Sequence, residues 1–368
     1  MNSKILTLIP LTGAALLSTP LAAGVSAANG PDWTALDASL AALPREGAST
    51  APSMGAVVRS SLDFSSDDGY VIGADSEDRQ GVRFQDAMLW ATGTIGDFTW
   101  RMNFDFANSN GQPANVAGDG IIAPTLEDAY AQWTCPESHV RITLGQYKRP
   151  PLRSSTSARH AMLFIDRTVL GQSFSFWSPG VSIDGKFDAF NWKVSLQNGD
   201  DLAAEDFALT ARAEYLINGG VGRIEGAMSG ADSGTKGTIG AAYFDEGDLE
   251  DGGMLALDAT VVFGQFSVAA EIADLDDDLG PAKFAVTEGN TPWAVTGSWL
   301  TPSREWEVAL RLQDHDDDDD TQVVSGGLNW YHGGHTAKWQ LNVSDYSSDV
   351  SADEGTLIQI GLTVGSDS

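Results

Sequence analysis

Cysteine and basic residues are scarce in this chain. Its 368 residues include one cysteine, and 21 Lys and Arg stand against 51 Asp and Glu, for a formal net charge of −30. A single cysteine excludes an intramolecular disulfide framework and a Cys-x-x-Cys zinc site. Because nucleic-acid binding requires a basic surface for the phosphates, the charge argues against that class. With 42% hydrophobic residues, the chain is also too apolar to be disordered.

The sequence also lacks recognised catalytic motifs. It contains no G-x-S-x-G nucleophile elbow, no P-loop and no H-E-x-x-H zinc motif. His332 and His335 flank two glycines, but no third metal ligand accompanies them, and a surface turn is the simpler interpretation. We therefore predict that the protein is not an enzyme and has no cofactor and no metal site.

Long apolar runs are confined to the N-terminus. Residues 5–17 are apolar, follow Lys4 and precede the small residues Val25-Ser26-Ala27. This pattern predicts a secretory signal peptide over 1–27, with an uncleaved anchor as the alternative, and residues 28–53 are predicted to form a tether. No apolar run of 18 residues follows, so membrane-spanning helices are not predicted. The remaining classes are a soluble exported protein and a transmembrane β-barrel.

From residue 54 onward, hydrophobicity alternates with a period of two. In residues 98–106 every second side chain is apolar (Phe, Trp, Met, Phe, Phe), and those between are polar or charged. The same alternation recurs in 191–197, 305–313 and 337–344. Such a pattern predicts strands with one apolar face and one wet face.

Strand length and aromatic placement favour a membrane barrel over a soluble β-sandwich. The predicted strands run about ten residues, the length that crosses a bilayer at a tilt. Aromatic residues near strand ends suit the girdles at the two membrane interfaces, although ordinary core positions are the alternative. These residues are Trp90, Trp133, Tyr215, Tyr243, Trp293, Trp299, Trp330, Tyr331 and Tyr346.

The connectors alternate between tight turns and long loops. This arrangement predicts an all-β fold, a transmembrane antiparallel β-barrel of about 16 strands over residues 54–368, with turns on one rim and loops on the other. The long connector 218–235 falls on the tight-turn rim and is the exception. It contains either a further strand or an enlarged turn.

Charge is concentrated in a few connectors. Asp and Glu cluster in 245–251, 274–278 and 314–320. Clustered carboxylates suit divalent cations, but a solvated, self-repelling loop is the favoured interpretation.

Basic residues concentrate in the connector 148–177, which also carries the apolar stretch 161–165. A loop of this composition is predicted to fold into the barrel lumen, narrow the pore and line it with groups that bind anions. Its predicted constriction residues are Lys148, Arg149, Arg153, Arg159, His160 and Arg167.

Arg59, Arg101 and Arg141 lie on the wet faces of their strands and extend this predicted basic track. Structural pairing of these basic side chains with lumen carboxylates such as Asp63, Asp105 and Glu214 is the alternative to an anion track.

Short motifs in this region resemble those of the phosphate-selective porin O and P family. The resemblance rests on 126–133 (LEDAYAQW), 144–150 (LGQYKRP), 157–159 (SAR) and 164–167 (FIDR), together with 327–331 and 338–342. It implies a sixteen-stranded, usually trimeric outer-membrane channel with basic residues at its constriction. Lys148, Arg149, Arg159 and Arg167 stand at matching positions.

The expected function is an outer-membrane porin of a Gram-negative-type bacterium that passes small anions, phosphate or polyphosphate among them. Its expected partners are the anions, outer-membrane lipid and lipopolysaccharide, and two further copies in a homotrimer, with no nucleic acid. A non-selective or cation-tolerant pore is the alternative, favoured if the acidic loops dominate. A barrel plugged by residues 148–177 and serving structure or adhesion is the alternative from another class, and an exported lectin is the weakest.

Overall fold

The computed structural model describes residues 50–65, 80–107, 116–117, 121–122, 124–199, 207–230, 234–247, 252–284, 286–349 and 354–366. The predicted signal peptide, most of the predicted tether and residues 248–251 of the first acidic stretch lie outside these residues. Among the described residues, no helix is both long enough and apolar enough to span a membrane. The α-helices are short: α1 (Arg153–Thr156), α2 (Val169–Ser173) and α3 (Leu279–Lys283).

Sixteen antiparallel strands close into one barrel, which confirms the predicted fold. In chain order the barrel strands are β1 Thr50–Ser65, β2 Gln80–Ile95, β3 Phe98–Asp105, β6 Thr125–Thr134, β7 Arg141–Lys148, β8 Trp177–Phe187, β9 Phe190–Gln197, β10 Ala208–Ile217, β11 Lys236–Asp245, β12 Gly253–Phe263, β13 Phe266–Leu275, β14 Trp293–Leu300, β15 Trp306–Asp314, β16 Gln322–Tyr331, β17 Ala337–Ser347 and β18 Gly355–Gly365. The two-residue strands β4 (Val116–Ala117) and β5 (Ile121–Ile122) form a separate hairpin.

The barrel closes where β1 pairs with β18, with Val57 opposite Gly365. β1 begins at Thr50, four residues before the predicted boundary, because Thr50 still pairs with Thr94 of β2 across an irregular register. Every other strand pairs with its neighbour in the barrel, so the described sheet has no open edge. Closure satisfies the backbone groups that an apolar bilayer would leave without partners.

The strands carry apolar side chains outward and polar side chains inward. On β15, Val308 and Leu310 are about half exposed (49% and 53%), whereas Glu307 and Arg311 are buried. This arrangement is the reverse of that in a soluble protein and suits a lipid-facing exterior. Three of the predicted girdle aromatics do not share the outward position: Trp90 and Tyr331 are buried, and Tyr346 lines a cavity inside the barrel.

Turn length separates the two rims. On the short-turn rim, residues 96–97, 188–189 and 264–265 each connect a pair of strands with two residues, whereas the opposite, long-loop rim carries 149–176 and 276–292. The connector 218–235 contains no additional strand within 218–230, so the enlarged-turn interpretation is correct for that part.

A close backbone contact in β7 explains one residue of the family motif. Gly145 has φ +128°, and a Cβ there would lie 2.2 Å from the carbonyl oxygen of Ala129 on β6. The adjacent Gln146 donates from Nε2 to the carbonyl oxygens of Leu126 and Glu127, the latter at 3.1 Å. These carbonyls lie beside the register shift between β3 and β6. The Gly-Gln pair therefore stabilises an irregular stretch of the barrel wall.

Candidate functional site

Residues 149–176, hereafter the inward loop, connect β7 to β8 and fold into the lumen. Leu152, Leu170 and Phe174 are buried and pack in one apolar cluster with Phe244 and Met254 of the barrel wall. A second cluster joins Leu163 and Phe164 to Ala309. The apolar residues that distinguish this loop in the sequence thus attach it to the wall formed by β10–β15.

Polar side chains of the opposite strands fix the middle of the inward loop. Asn342 Oδ1 accepts a hydrogen bond from Ile165 N at 2.9 Å, and Asn329 Nδ2 donates to the Leu163 carbonyl at 3.0 Å. Arg59 Nη2 donates to the Ile165 carbonyl at 2.5 Å. The loop therefore reaches from its apolar attachment to strands β16, β17 and β1.

Arg159 extends from the inward loop to a third part of the wall. Its Nη1 pairs with Asp105 of β3 at 2.7 Å and also with Asp86 of β2, and its Nη2 pairs with Glu127 of β6. The guanidinium also lies 5.0 Å from the ring centroid of Trp177. Burial alone would lower the pKa of Arg159, but the three carboxylates outweigh it and raise this pKa. Arg159 therefore links the loop to the wall as a permanent cation.

Arg149 and Arg153 occupy structural positions. Arg149 pairs with Glu246 at 2.7 Å and lies 5.0 Å from the ring centroids of both Phe176 and Phe244, with 3% of its surface exposed. Arg153 donates to backbone carbonyls of residues 221, 222 and 224. Burial and the neighbouring Arg223 lower the pKa of Arg153 to about 10. Neither guanidinium is free to bind an anion without giving up these partners.

The remaining predicted loop residues differ in their surroundings. Arg167 donates to the carbonyls of Ser154 and Ser157, the latter at 2.8 Å, and burial followed by repulsion from Arg159 lowers its pKa to about 10. His160 is buried within the loop. Lys148, at the end of β7, lies 4.2 Å from the ring centroid of Trp177. Within the part of the chain that the structure describes, Lys148 has no carboxylate at ion-pair distance.

The three strand arginines of the predicted track all have carboxylate partners, a pattern that favours structural pairing. Arg59 pairs with Asp86 at 2.6 Å, so it shares that carboxylate with Arg159. Arg101 pairs with Asp128 at 3.0 Å, and Arg141 pairs with Asp184. Asp63, Asp105 and Glu214 do pair with arginines, but with Arg83, Arg159, and both Arg212 and Arg223, respectively.

Two large cavities inside the barrel differ in charge. One cavity has a volume of 440 Å³ and is lined by five arginines and four acidic residues. Its lining includes Arg159 and Arg167 of the inward loop and Gln313, Val323 and Tyr346 of the wall. The cavity of 640 Å³ next to the short-turn rim is lined by six basic and two acidic residues, a formal excess of four positive charges. These eight residues are Arg141, Arg153, Lys186, Lys193, Arg212, Arg223, Asp184 and Glu214.

Several of these basic residues are absent from the predicted site. Lys193 and Arg311 lie on polar faces that the alternation identifies, so periodicity signals both. Arg212 lies inward on β10, and the same alternation could have identified it. Arg223 lies in the enlarged turn, where no period applies, and its place beside Glu214 could not be read from the sequence.

Several described acidic loop residues accept hydrogen bonds from backbone N–H groups of their own or a neighbouring loop. Asp317 Oδ1 accepts from Thr321 N at 2.8 Å, and Asp276 Oδ1 accepts from Leu279 N at 3.0 Å. Burial raises the pKa of Asp317, but hydrogen bonds from His315 and Thr321 outweigh it and lower this pKa. No group of three or more His, Cys, Asp or Glu within the described ranges is arranged to hold a metal ion.

A closed barrel of sixteen strands with an apolar exterior and a loop folded into its lumen has the architecture of an outer-membrane porin. Residues 58–215 match the model of a family described as "Phosphate-selective porin O and P". This match confirms the resemblance seen in the motifs of the chain. The family match and the barrel fold together support an outer-membrane porin.

Solved outer-membrane proteins share the fold at low sequence identity. The outer membrane channel DcaP of Acinetobacter baumannii is 13% identical, with a TM-score of 0.58 over 88% of this chain and 99% of that chain. Salmonella typhi OmpF in complex with daunomycin is 10% identical, with a TM-score of 0.59 over 86% and 97%. The trimer form of Vibrio cholerae OmpT is 10% identical, with a TM-score of 0.55 over 87% and 100%. No curated protein matches the sequence.

Proposed function

We propose that this porin passes small anions by passive diffusion and that phosphate is among them. The observation that carries the proposal is the excess of four positive charges around the cavity next to the short-turn rim, in a chain whose net charge is −30. A low-dielectric cavity of one sign concentrates ions of the opposite sign. Lysine and arginine are the side chains that bind phosphate oxygens.

The solute-facing cations of this proposal are the lysines rather than the predicted arginines. Lys193 lies 4.7 Å from the ring centroid of Tyr147, and neither it nor Lys186 has a carboxylate at ion-pair distance among the described residues. Arg149, Arg153, Arg159 and Arg167 are engaged by the loop and the wall. In this proposal they set the shape of the constriction and contribute a background potential.

A non-selective pore is the second candidate. The other cavity carries five arginines against four acids, so it supplies little preference for one sign of charge. A plugged barrel is the third candidate, because the inward loop touches three parts of the wall. For assembly we propose a homotrimer, supported by the trimer form recorded for OmpT. The lipid surroundings would be those of the outer membrane, including lipopolysaccharide.

The test is the reversal potential of the refolded protein in a planar bilayer, first under a KCl gradient and then under a potassium phosphate gradient. We expect a potential on the anion side that decreases in the Lys186→Gln/Lys193→Gln double variant. Lys193→Gln alone is compared with the control Lys236→Gln, which removes the same single charge outside both cavities. A cation-side potential in the wild type would refute anion preference, and a barrel without current would be plugged.

A further inference from the structure

The connector 218–235 is the long segment on the rim of short turns, and its described residues, 218–230 and 234–235, are hereafter the turn insert. The turn insert leaves the end of β10 and enters the barrel. Val221 is buried, and its N–H donates to Thr238 Oγ1 of β11 at 2.9 Å. Further along, Ile224, Glu225 and Gly226 line a small cavity of 50 Å³ together with residues of the inward loop. The two segments thus enter the lumen from opposite rims and meet.

Backbone hydrogen bonds join the turn insert to the inward loop. Ala158 N donates to the Arg223 carbonyl at 2.9 Å, and Glu225 N donates to the Ala161 carbonyl at 3.0 Å. The Glu225 side chain adds a third bond, accepting from Leu163 N at 2.9 Å. Paired main chains hold each other in one register, so movement of the loop around residues 158–163 requires the insert to release it.

A buried carboxylate fixes the turn insert to the far wall. Glu307 Oε1 accepts from Ala227 N at 2.6 Å and from Ser298 Oγ at 2.6 Å. Glu307 Oε2 accepts from the Tyr331 hydroxyl at 2.7 Å, and Glu307 has no exposed surface. Ala227 packs in an apolar cluster with Leu300 and Tyr331. A buried carboxylate with three neutral donors is expensive to leave unsatisfied, so this anchor has one favourable arrangement.

The backbone of the insert at this anchor accepts only glycine. Gly226 has φ +83°, and a Cβ there would lie 2.6 Å from Glu307 Oε1 and 2.7 Å from Leu163 Cδ2. Both neighbours are side chains of the contact itself, one from the wall and one from the inward loop. An added methyl group at residue 226 would therefore push apart the turn insert, the inward loop and the wall strand β15 where they contact one another.

We infer that the turn insert is a second arm of the constriction, which clamps the inward loop in the lumen and limits the width of the channel from the short-turn rim. This inference rests on the proposed function, because a constriction has meaning only if the barrel conducts. The insert also supplies Arg223 and Gly222 to the basic cavity, so solutes pass along it before they leave by that rim.

Hydrogen exchange tests the clamp without any need for conduction. In Glu307→Gln the carboxylate becomes a neutral amide, whose oxygen accepts a weaker hydrogen bond from Ala227 N and whose NH₂ can only donate, to the Tyr331 hydroxyl oxygen, so the anchor is weakened. We expect loss of exchange protection at Ala227, Glu225 and Leu163 in Glu307→Gln and in Gly226→Ala. Glu305→Gln on the exposed turn is the charge-matched control, and Gly234→Ala is the backbone control, since Gly234 also has positive φ but open space around it. Unchanged protection in the folded variants would overturn the clamp.

Single-channel recording tests the width. We expect Glu307→Gln and Gly226→Ala to add current fluctuations, and a variant with residues 219–234 replaced by a two-residue turn to conduct more than the wild type. A wild type without current refutes the proposed function and leaves the exchange result to decide the clamp. A conducting wild type with all three variants unchanged refutes the second arm.

Discussion

Arg212 on β10 donates from both Nη atoms to the two carboxylate oxygens of Asp258 on β12, at 2.7 and 2.9 Å. The same guanidinium donates to the Pro151 carbonyl at 3.0 Å, where the inward loop leaves the wall. The pair is buried on both sides. The Arg212–Asp258 ion pair therefore holds the start of the inward loop in place. It stabilises the position of that loop and does not bind solute.

Replacement of Arg212 tests this structural role. Arg212→Ala leaves Asp258 as a buried charge without its main partner, which costs roughly 3–5 kcal/mol. Arg212→Lys keeps the charge but loses the forked geometry, so we expect an intermediate loss. Urea unfolding in lipid vesicles measures both, with the exposed Lys186→Ala as a control expected within about 0.5 kcal/mol of wild type. Equal stability of all three variants would contradict the assignment.

Arg159 is expected to determine the local sign of charge at the constriction. In Arg159→Ala the carboxylates of Asp86, Asp105 and Glu127 lose their shared partner, so the reversal potential should move toward the cation side. Arg167 donates only to carbonyls among the described residues, so Arg167→Ala should produce a smaller shift. Arg159→Lys should restore part of the wild-type potential. An unchanged potential in Arg159→Ala would place this residue outside the conducting path.

Gly145 is expected to be required for the wall near the constriction. Any Cβ at this residue meets the Ala129 carbonyl and the backbone of Tyr130, and the φ of +128° is itself unfavourable for alanine. We expect Gly145→Ala to cost roughly 1–3 kcal/mol in urea unfolding. Gly326→Ala serves as the control, because it has open space and no positive φ. A similar loss in both variants would assign the effect to strand propensity instead.

The strand count and the inward loop were predictable because each follows from a local rule. Lipid outside and water inside impose a period of two on every strand, and apolar residues in a basic connector indicate a buried loop. Orientation was less predictable. Tyr331 ends β16, as a girdle residue does, and Trp90 lies within β2. Both face inward, and the Tyr331 hydroxyl donates to Glu307. Residue type alone does not distinguish these positions.

An ion pair in the site can be predicted from the sequence only where both residues lie on strands whose register is known. Arg59 lies opposite Asp86 in the β1–β2 register, so this pair follows once the hairpin is known. The partners of Arg159 come from three strands and depend on the path of the inward loop. Contacts of the turn insert depend on a segment without periodicity. The sequence therefore indicates which residues are basic and inward, but not which of them remain available to a solute.

His335 makes the stability of the folded protein depend on pH in the mildly acidic range. It lies in the turn between β16 and β17, where burial first, then Lys338 and His160, lower its pKa well below the ordinary value of 6.5. The folded state thus binds fewer protons at this residue than the unfolded state does. Its contribution to stability is complete above about pH 6.5 and is lost as the pH falls below that value.

We expect the melting temperature to drop over this window and the drop to be smaller in His335→Gln. His332→Gln is the control, because His332 is exposed in the same turn. Parallel curves for wild type and His335→Gln would mean that other groups cause the drop.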